Sequence, residues 1–398
     1  MLLAAHKAGI SFFKSYVGYA HSLGGKYDTP HGLAMLYFAP VSSPWVRRNL
    51  VPRLHHALSA CLYADGVGEG PCVRAYSTAC RRQCLDIRSC PRRRLGCAET
   101  VRHSRQGVAF EKMRIVNLIE NTPGADGCVA LHGLSFYVET VKHCVLFDAG
   151  PSEATLDNAA RLGIDLGKVD VAVLSHGHYD HSGGFAAFAR MNPSAVIYVQ
   201  RRAFGEHYGY DGPGNGYRYI GIDKSLQELP QVRLLDGDMR IDDELSLFVA
   251  EERRYPLPST NARIVRKVAD AYVPDDFSHE QSLIVRSGGE SALLSGCAHA
   301  GILNILDESV RKFGRENLPQ TVISGFHLLK KDGYSAQNFA EHEEIARRLC
   351  EYPCTFCTCH CTGTEPYGRM KAIMGDRLRY IRTGEEVGLG YSDHCRTL

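Results

Sequence analysis

The chain has 398 residues and a net charge of +2, a length that suits one large domain or two. It has no apolar run of about 18 residues, which argues against a transmembrane helix. His6, Lys7 and Lys14 interrupt the apolar character of the first twenty residues, which argues against a signal peptide. We therefore expect a cytoplasmic protein with no membrane partner.

The charge is unevenly distributed along the chain. Residues 1–112 hold 16 Lys and Arg against 6 Asp and Glu, whereas the remainder holds 30 against 38. The first segment contains six of the 15 cysteines and no sustained periodicity. It could be a basic arm for nucleic acid or a zinc module, but spacings such as Cys80 to Cys84 lack the paired short intervals of zinc sites. We favour a disordered or non-native extension and expect the natural start at Met113.

From Met113 the pattern becomes that of a folded α/β domain. A strand is predicted over 113–118, a hairpin over 134–138 and 143–147, and a helix over 153–161. The second hairpin strand ends in Asp148-Ala-Gly150, a turn sequence. We therefore place one domain at 113–398, and we expect no nucleic-acid partner for it.

The densest cluster of candidate metal ligands is the segment His176-Gly-His-Tyr-Asp-His181. It follows a predicted buried strand at 169–174 and precedes a predicted helix at 185–190. It therefore occupies the loop at the carboxyl end of a strand, where α/β sheets place their sites. Residues two apart in an extended segment point the same way, so His176 and His178 can bind one ion, while Asp180 and His181 can face a second. A His-rich surface loop is the less favoured alternative.

An insertion rich in Gly and Tyr follows a predicted strand at 195–199. Residues 205–223 could wall a substrate pocket, with Arg218 and Tyr219 as the substrate-binding candidates and Arg218 suited to an anionic group. A solvated loop with packed tyrosines is the alternative.

The second half repeats the order strand, ligand-bearing turn and helix. Strands are predicted at 245–250, 282–285, 321–324 and 377–381 and in the segment 291–301 before Gly296, and helices at 301–313 and 335–349. The turns between them offer His299 and His360 as further metal ligands. His279 and His327 are also available, on the metal side or on the substrate side.

Five motifs occur in one order: LIENT at 118–122, LSHGHYDHSGG at 174–184, SGCAHAG at 295–301, GFHL at 325–328 and HCTG at 360–363. The second resembles the signature of the metallo-β-lactamase superfamily. Together they resemble the branch that includes the methanogen dihydropterin synthase of methanopterin biosynthesis and many bacterial metal-dependent hydrolases. The resemblance covers about 113–388. It implies a four-layer αβ/βα sandwich of the α/β class, with the site at one edge.

The resemblance also implies roles for single residues. Asp148 would support the metal loop by hydrogen bonding, and Cys297 stands where many members carry a bridging Asp, so it could ligate as a thiolate. The expected cofactors are two divalent ions, zinc first, with iron or manganese as alternatives.

The expected activity is hydrolysis of a small anionic or phosphorylated molecule by a metal-bound hydroxide. Asp180 would orient the nucleophile or accept its proton, and His279 or His327 would donate a proton to the leaving group. One alternative is a condensing synthase that uses the same site on a pterin-like phosphorylated substrate. Another is a non-catalytic metal-binding or redox-sensing protein built on the cysteines around His360.

Overall fold

The computed structural model describes residues 113–389. The interpretation of 1–112 as an extension lies outside the described residues, as do the last nine residues of the predicted domain.

Within the described residues, seventeen strands form three sheets. They are, in chain order, β1 Arg114–Ile119, β2 Ser135–Glu139, β3 Cys144–Phe147, β4 Val171–Val173, β5 Val196–Gln200, β6 His207–Tyr210, β7 Tyr217–Tyr219, β8 Val232–Leu235, β9 Met239–Arg240, β10 Leu245–Phe248, β11 Ile264–Val268, β12 Ala271–Pro274, β13 Ser282–Ser287, β14 Glu290–Leu294, β15 Thr321–Ser324, β16 Thr355–Thr358 and β17 Leu378–Tyr380.

In the same part of the chain, six α-helices lie between the strands. They are α1 Ala154–Arg161, α2 Tyr179–Ser182, α3 Phe185–Met191, α4 Ile302–Phe313, α5 Ala336–Leu349 and α6 Thr364–Met374. Within residues 113–389, none of the helices has the length and apolar character needed to cross a membrane.

Two large sheets carry the fold. The first has six strands in the order β1-β2-β3-β4-β5-β8, and the second has seven in the order β17-β16-β15-β14-β13-β10-β9. Each has antiparallel hairpin strands followed by parallel strands: β3, β4, β5 and β8 in the first, and β14 to β17 in the second. α-Helices join the parallel strands, except that β6 and β7 lie in the connection from β5 to β8. The repetition predicted for the two halves is therefore confirmed.

In each of the two large sheets, successive side chains of a strand point alternately towards the other sheet and towards the helices. In β3, Val145 and Phe147 pack between the two sheets, whereas Leu146 packs towards α1 and α3. In the second sheet, Leu294 faces the first sheet and Leu293 faces α4, α5 and α6. Helices, sheet, sheet and helices thus form four layers, which confirms the expected sandwich. Each fully buried side chain of this size contributes about 1.5–3 kcal/mol.

The insertion at 205–223 is more regular than the sequence indicated. Its strands β6 and β7 pair with each other, and β6 also pairs with β11, giving a small antiparallel sheet in the order β12-β11-β6-β7. The β11–β12 hairpin at 264–274 has no counterpart in the sequence prediction.

Candidate metal centre

The turns after five strands carry the candidate ligands. Strands β3 and β4 are parallel neighbours, as are β14, β15 and β16. The turns after them hold, in order, Asp148, the loop 176–181, Cys297 with His299, His327, and His360. Parallel strands end at the same edge of a sheet, so these turns meet.

Three histidines form a first group of ligands. One ligand atom each of His176, His178 and His299 lies within 4.8 Å of the others. All three side chains are buried, and their Nε2 atoms have no hydrogen-bond partner among the described residues. Buried polar atoms are rarely left without a partner, so three converging imidazole nitrogens fit a metal ion.

Asp180, His181 and His360 form a second group. The Oδ2 atom of Asp180 lies 3.4 Å from His360 Nε2 and 3.9 Å from His181 Nε2. The Nε2 atom of His360 is also without a hydrogen-bond partner. One carboxylate with two imidazoles suits zinc, iron or manganese. The structure therefore brings together all six histidine and aspartate ligands predicted from the sequence.

Cys297 lies between the two groups. Its Sγ is 3.2 Å from His181 Nε2. It falls within 4.8 Å of ligand atoms of His176 and His181, and, in a separate set, of His360 and Cys361. Burial raises the pKa of the Cys297 thiol well above its usual value.

Asp148 supports the metal loop through hydrogen bonds. Its carboxylate accepts hydrogen bonds from the Ser175 amide at 2.7 Å, the Ser175 hydroxyl at 2.7 Å and His181 Nδ1 at 2.6 Å. Since the Ser175 hydroxyl donates to Asp148, it must accept from His176 Nδ1 at 2.8 Å. Both imidazoles therefore carry their proton on Nδ1 and turn the Nε2 lone pair towards the centre. That of His176 has no hydrogen-bond partner among the described residues, and that of His181 lies 3.2 Å from Cys297 Sγ.

Two asparagines hold the remaining ligands in the same way. Asn261 donates from Nδ2 to the His299 carbonyl at 2.7 Å and accepts from His299 Nδ1 at 3.1 Å. Asn121 donates to the His360 carbonyl at 3.3 Å and accepts from His360 Nδ1 at 2.9 Å. Each asparagine thus fixes the tautomer that leaves Nε2 free, and neither role was predicted from the sequence.

Two buried carboxylates fix the backbone of these histidines. Glu280 accepts from the amides of His299 and Ala300 at 2.7 and 2.8 Å, and Glu120 accepts from the His360 amide at 2.9 Å. Burial raises the pKa of both carboxyl groups.

The electrostatic environment favours the forms that bind metal at five of the six candidate ligands; His181 is the exception, because the charges of Asp148 and Asp180 outweigh its burial and raise its pKa. Burial, with the neighbouring imidazoles, holds the pKa values of His176, His178 and His299 well below the usual range, and burial lowers the pKa of His360 to about 4. For Asp180, burial acts to raise the pKa, but nearby imidazoles outweigh it and lower the pKa. Neutral imidazoles and an ionised carboxylate are the ligating species.

His279 has the opposite orientation from the ligands. Its Nδ1 accepts a hydrogen bond from the Gly177 amide at 3.0 Å, so the neutral ring carries its proton on Nε2. That Nε2 lies 3.5 Å from Asp275 Oδ2, and Asp275 also bonds His207 Nδ1 at 2.7 Å. His279 therefore supports the metal loop through the Gly177 amide, while its Nε2, which has no hydrogen-bond partner among the described residues, faces Asp275 in a separate group with His207.

His327 is half-buried beside the first group. Its ring centroid is 4.1 Å from that of His299. Thr260 donates its hydroxyl proton to the His327 carbonyl and accepts from His327 Nδ1 at 2.9 Å. Burial lowers the pKa of His327 to about 3. The neutral ring thus presents an accepting Nε2.

His132 is a site residue that the sequence prediction missed. Its Nε2 lies 3.4 Å from Asp180 Oδ2, and its side chain is 54% exposed, in contrast to the buried ligands. His132 lies in the turn before β2. No local sequence pattern indicates that it contacts Asp180.

Backbone strain concentrates around this centre. Six non-glycine residues between 113 and 389 have a positive φ. Five of them belong to the turns just described: Asp148, Phe277, Ala298, His327 and His360. Such conformations cost about 1–3 kcal/mol each and are typical of functional sites.

The two predicted substrate-binding residues lie on opposite faces of the small sheet. Arg218 pairs with Gly209 and, by alternation, shares the face of His207, which contacts Asp275. The pKa of Arg218 is raised, first by its hydrogen bond to Asp211 and also by the charge of Asp180. Tyr219 packs on Tyr208 and donates its hydroxyl proton to the Ile222 carbonyl at 3.0 Å. Register thus places Arg218, and not Tyr219, on the side of the metal loop.

The cysteines before His360 lie in the core. Cys354, Cys357 and Cys359 are buried, and burial raises their pKa values. Within residues 113–389, the groups of potential ligands do not include them. Their surroundings are those of packed thiols.

Comparison with known proteins agrees with this geometry. Residues 129–314 match the family model of the metallo-beta-lactamase superfamily. The chain is similar to a crystal structure of a metal-dependent hydrolase of the beta-lactamase superfamily. The two are 27% identical with a TM-score of 0.59, and the match covers 70% of this chain and all of that one.

Two curated proteins of Methanocaldococcus jannaschii are also similar. One is an uncharacterized protein, 28% identical over 270 residues, which cover 65% of this chain and 94% of that protein. The other is 7,8-dihydropterin-6-methyl-4-(beta-D-ribofuranosyl)-aminobenzene-5'-phosphate synthase, 26% identical over 277 residues, which cover 64% and 88%.

Proposed function

Because the chain carries a metallo-β-lactamase superfamily domain, we propose that it is a dinuclear metal-dependent hydrolase of small anionic molecules. The observation that carries the proposal is the convergence of unpartnered Nε2 atoms of His176, His299 and His360, held in that tautomer by Ser175, Asn261 and Asn121. A purely structural histidine cluster would pair these atoms with each other or with the backbone.

His176, His178 and His299 would hold one ion, and Asp180, His181 and His360 the other. When bound, such ions supply a nucleophile from water near neutral pH and polarise the substrate oxygen. Zinc is the first candidate, with iron and manganese as alternatives.

The remaining residues act on the substrate and the attacking water. Asp180 would help to hold the ion and would orient the attacking water through its carboxylate. His327 accepts a hydrogen bond at Nε2, because its Nδ1 proton is engaged by Thr260 and its low pKa keeps it neutral. This replaces the expected role of His327 as a proton donor, and His279 acts by positioning Gly177.

The preference for an anionic substrate rests on Arg218. Its side chain is 53% exposed and lies on the face of the small sheet that turns towards the metal loop, where its Nε and Nη2 donate to Asp211 and its Nη1 is left for a substrate anion, which could also replace Asp211. A guanidinium binds a phosphate or carboxylate through paired hydrogen bonds.

Metal analysis combined with a panel of phosphodiester, thioester and lactone substrates tests the proposal. We expect two ions per chain and turnover of at least one substrate. The H327A variant should keep both ions and lose about 10²–10⁴-fold in kcat. Two bound ions without turnover of any substrate would favour a metal-binding or redox-sensing protein, and failure to bind metal would reject the proposal.

A condensing activity is a second candidate, favoured by the similarity to the dihydropterin synthase. The same centre would then activate a pterin-like phosphorylated substrate for bond formation. Incubation with a reduced pterin phosphate and an aromatic amine, followed by mass spectrometry, distinguishes the two. A joined product supports condensation, whereas products of water addition alone support hydrolysis.

A further inference from the structure

The side chains that solvent reaches at this centre lie beside the second group of ligands. All three histidines of the first group are buried, and the Phe277 ring stacks on that of His299 with the centroids 4.8 Å apart. By contrast, Tyr179, the neighbour of Asp180, is 43% exposed, and more than half of the His132 side chain is exposed. The open side of the centre is therefore the side of Tyr179 and His132.

The turn that carries His132 is fixed on the metal loop. The Leu134 amide donates to the Asp180 carbonyl at 3.3 Å. A Cβ added to Gly133 would lie 2.4 Å from the same carbonyl oxygen, so this close approach requires glycine. The His132 ring centroid is 5.0 Å from that of His360. These contacts hold the exposed imidazole next to the second group.

The contact between His132 and Asp180 leaves the imidazole available to another acceptor. Its Nε2 lies 3.4 Å from Asp180 Oδ2, which is longer than the about 2.7–3.2 Å of an ordinary N–H···O hydrogen bond. In the proposed centre that carboxylate would hold an ion. A molecule that enters from the open side therefore meets an imidazole N–H that no strong acceptor occupies.

Arg218 reaches the same side from the small sheet. The Tyr179 amide donates to the Ile220 carbonyl at 3.0 Å, so the chain is bonded to the metal loop two residues beyond Arg218. The hydrogen bond to Asp211 is the first cause that raises the pKa of Arg218, and the charge of Asp180 adds to it. Arg218 thus lies within the electrostatic range of the second group.

Positive charge surrounds His132. Partial burial lowers the pKa of the imidazole, and the charges of His181, Lys331 and Arg218 lower it further, against that of Asp180. The neutral form of His132 still donates one N–H, and Arg218 Nη1 is left free by the hydrogen bonds to its carboxylate partner. Two donors beside one metal position suit an anion with several oxygens, such as a phosphoryl group.

We propose, on the basis of the dinuclear hydrolase proposed above, that His132 is a substrate-binding residue that holds a phosphoryl group together with Arg218. His132 donates to one phosphoryl oxygen and Arg218 to another, which leaves a third oxygen facing the second metal position. The substrate is then a phosphate ester whose phosphoryl group reacts on the open side. Hydrolysis forms a bond from the water oxygen to phosphorus and breaks the bond from phosphorus to the leaving alcohol, which takes one proton of the water.

Acylation of histidines by diethyl pyrocarbonate tests the proposal without turnover. The reagent modifies neutral imidazoles that solvent reaches, and mass spectrometry of peptides measures the rate at each histidine of the zinc-loaded protein. We expect His132 to react faster than the buried ligands. Inorganic phosphate should slow its reaction at least about fivefold once the concentration exceeds the Kd several-fold. R218A should lose this protection, and R233A should keep it, since Arg233 is exposed on β8 and donates to the Pro230 carbonyl.

Kinetics with a charged and a neutral substrate supply a second measurement. We expect H132A to lower kcat/KM at least about tenfold for bis-p-nitrophenyl phosphate, chiefly through KM, and to change that for a neutral lactone less than about twofold. H132Q keeps an N–H donor and should recover part of the loss. Both variants should keep two ions per chain. Should H132A fail to fold, H132Q and the wild-type protection still decide.

Four results would overturn the inference. They are a His132 that phosphate does not protect, protection that survives in R218A because phosphate binds the ions alone, equal loss of both substrates in H132A, and loss of an ion in that variant, which would make His132 a ligand. Each of them leaves the proposed hydrolase intact as long as one substrate is turned over. Protection of His132 in a protein that hydrolyses nothing would instead reject the proposed function and keep the phosphoryl site.

Discussion

Asn121 and Asn261 show how a single side chain can prepare a metal ligand. Each uses both ends of its amide on one histidine, donating to the carbonyl and accepting from Nδ1. The histidine can then neither rotate nor change tautomer without losing two hydrogen bonds, each contributing about 0.5–1.5 kcal/mol. The ligand is therefore ordered before the ion arrives.

Replacing these asparagines should weaken one metal position at a time. We expect N261A to lower affinity at the first position and N121A at the second, each about 10–100-fold, because the freed imidazole no longer keeps its proton on Nδ1. Competitive titration with a chromogenic chelator measures both constants. N192A is the control, since Asn192 bonds the carbonyls of Leu166 and Val169 away from the ligands. Equal loss in N192A would mean that the effect is one of general stability.

His279 should behave as a positioning residue. In H279N the amide oxygen can still accept from the Gly177 amide, whereas H279A loses that contact. We therefore expect H279A to weaken the first metal position by about tenfold or more and H279N to retain most of the affinity. The KM of a substrate should change little in H279N. Equal loss of an ion in both variants would identify His279 as a ligand and contradict this role.

At the scale of elements, the turns after β14, β15 and β16 are packed so closely that one glycine is required. We expect G325A to destabilise the protein by about 1–3 kcal/mol through overpacking against Cys361. It should also weaken the second metal position more than the first, because His360 and Cys361 share a turn. Denaturant titration of the metal-free protein and metal titration measure the two effects.

G368A provides the matched control for that substitution. Gly368 lies within α6, and a Cβ added there would meet nothing within 4 Å. The variant should be neutral or more stable by up to about 1 kcal/mol, since alanine favours a helix interior. A G325A protein as stable as G368A, with both positions intact, would show that the turn can adjust without cost.

Some of the strands and helices were predictable from the sequence and others were not. The strands β3, β4, β14 and β15 and the turns after them were predicted from apolar runs that lead directly into Gly, His or Asp. Such runs are continuous because these strands are buried on both faces. The helix α6 was missed because it contains Pro366 and Gly368 and has weak amphipathic character. The β11–β12 hairpin was missed because its side chains are mostly half-buried or exposed.

The site was predictable where ligands cluster and unpredictable where contacts are distant. The short spacing of the four candidate ligands between His176 and His181 predicts metal binding from one segment alone. By contrast, the bonds from Asn121 and Glu120 to His360 join residues about 240 positions apart, which no local pattern encodes. His132 was missed for the same reason, because its neighbour Asp180 lies on another element.

For the whole molecule, the metal-free form should be sensitive to acid. Histidines that fold with lowered pKa values bind fewer protons than in the unfolded chain, so stability falls as the pH drops below about 6.5. For His360, with a pKa of about 4, the full loss approaches about 3 kcal/mol. His181 has a raised pKa, since Asp148 and Asp180 outweigh its burial, and it opposes the trend.

Denaturant titration of the chelated protein from pH 7 to pH 4.5 measures this dependence. We expect the free energy of unfolding to decline throughout, and an H360N variant, which lacks the titrating ring, to decline less. Constant stability over this range, or a steeper decline in H360N, would contradict the assignment.

Both proposed metal positions would take ligands from both halves of the chain. His299 joins His176 and His178, and His360 joins Asp180 and His181, so neither half completes a position alone. A chain cut in the connection between the halves would stay together as long as its ions remained bound. Proteases that need a locally opened substrate would therefore act on the metal-free form first, and the supply of metal in the cell would set how long each molecule persists.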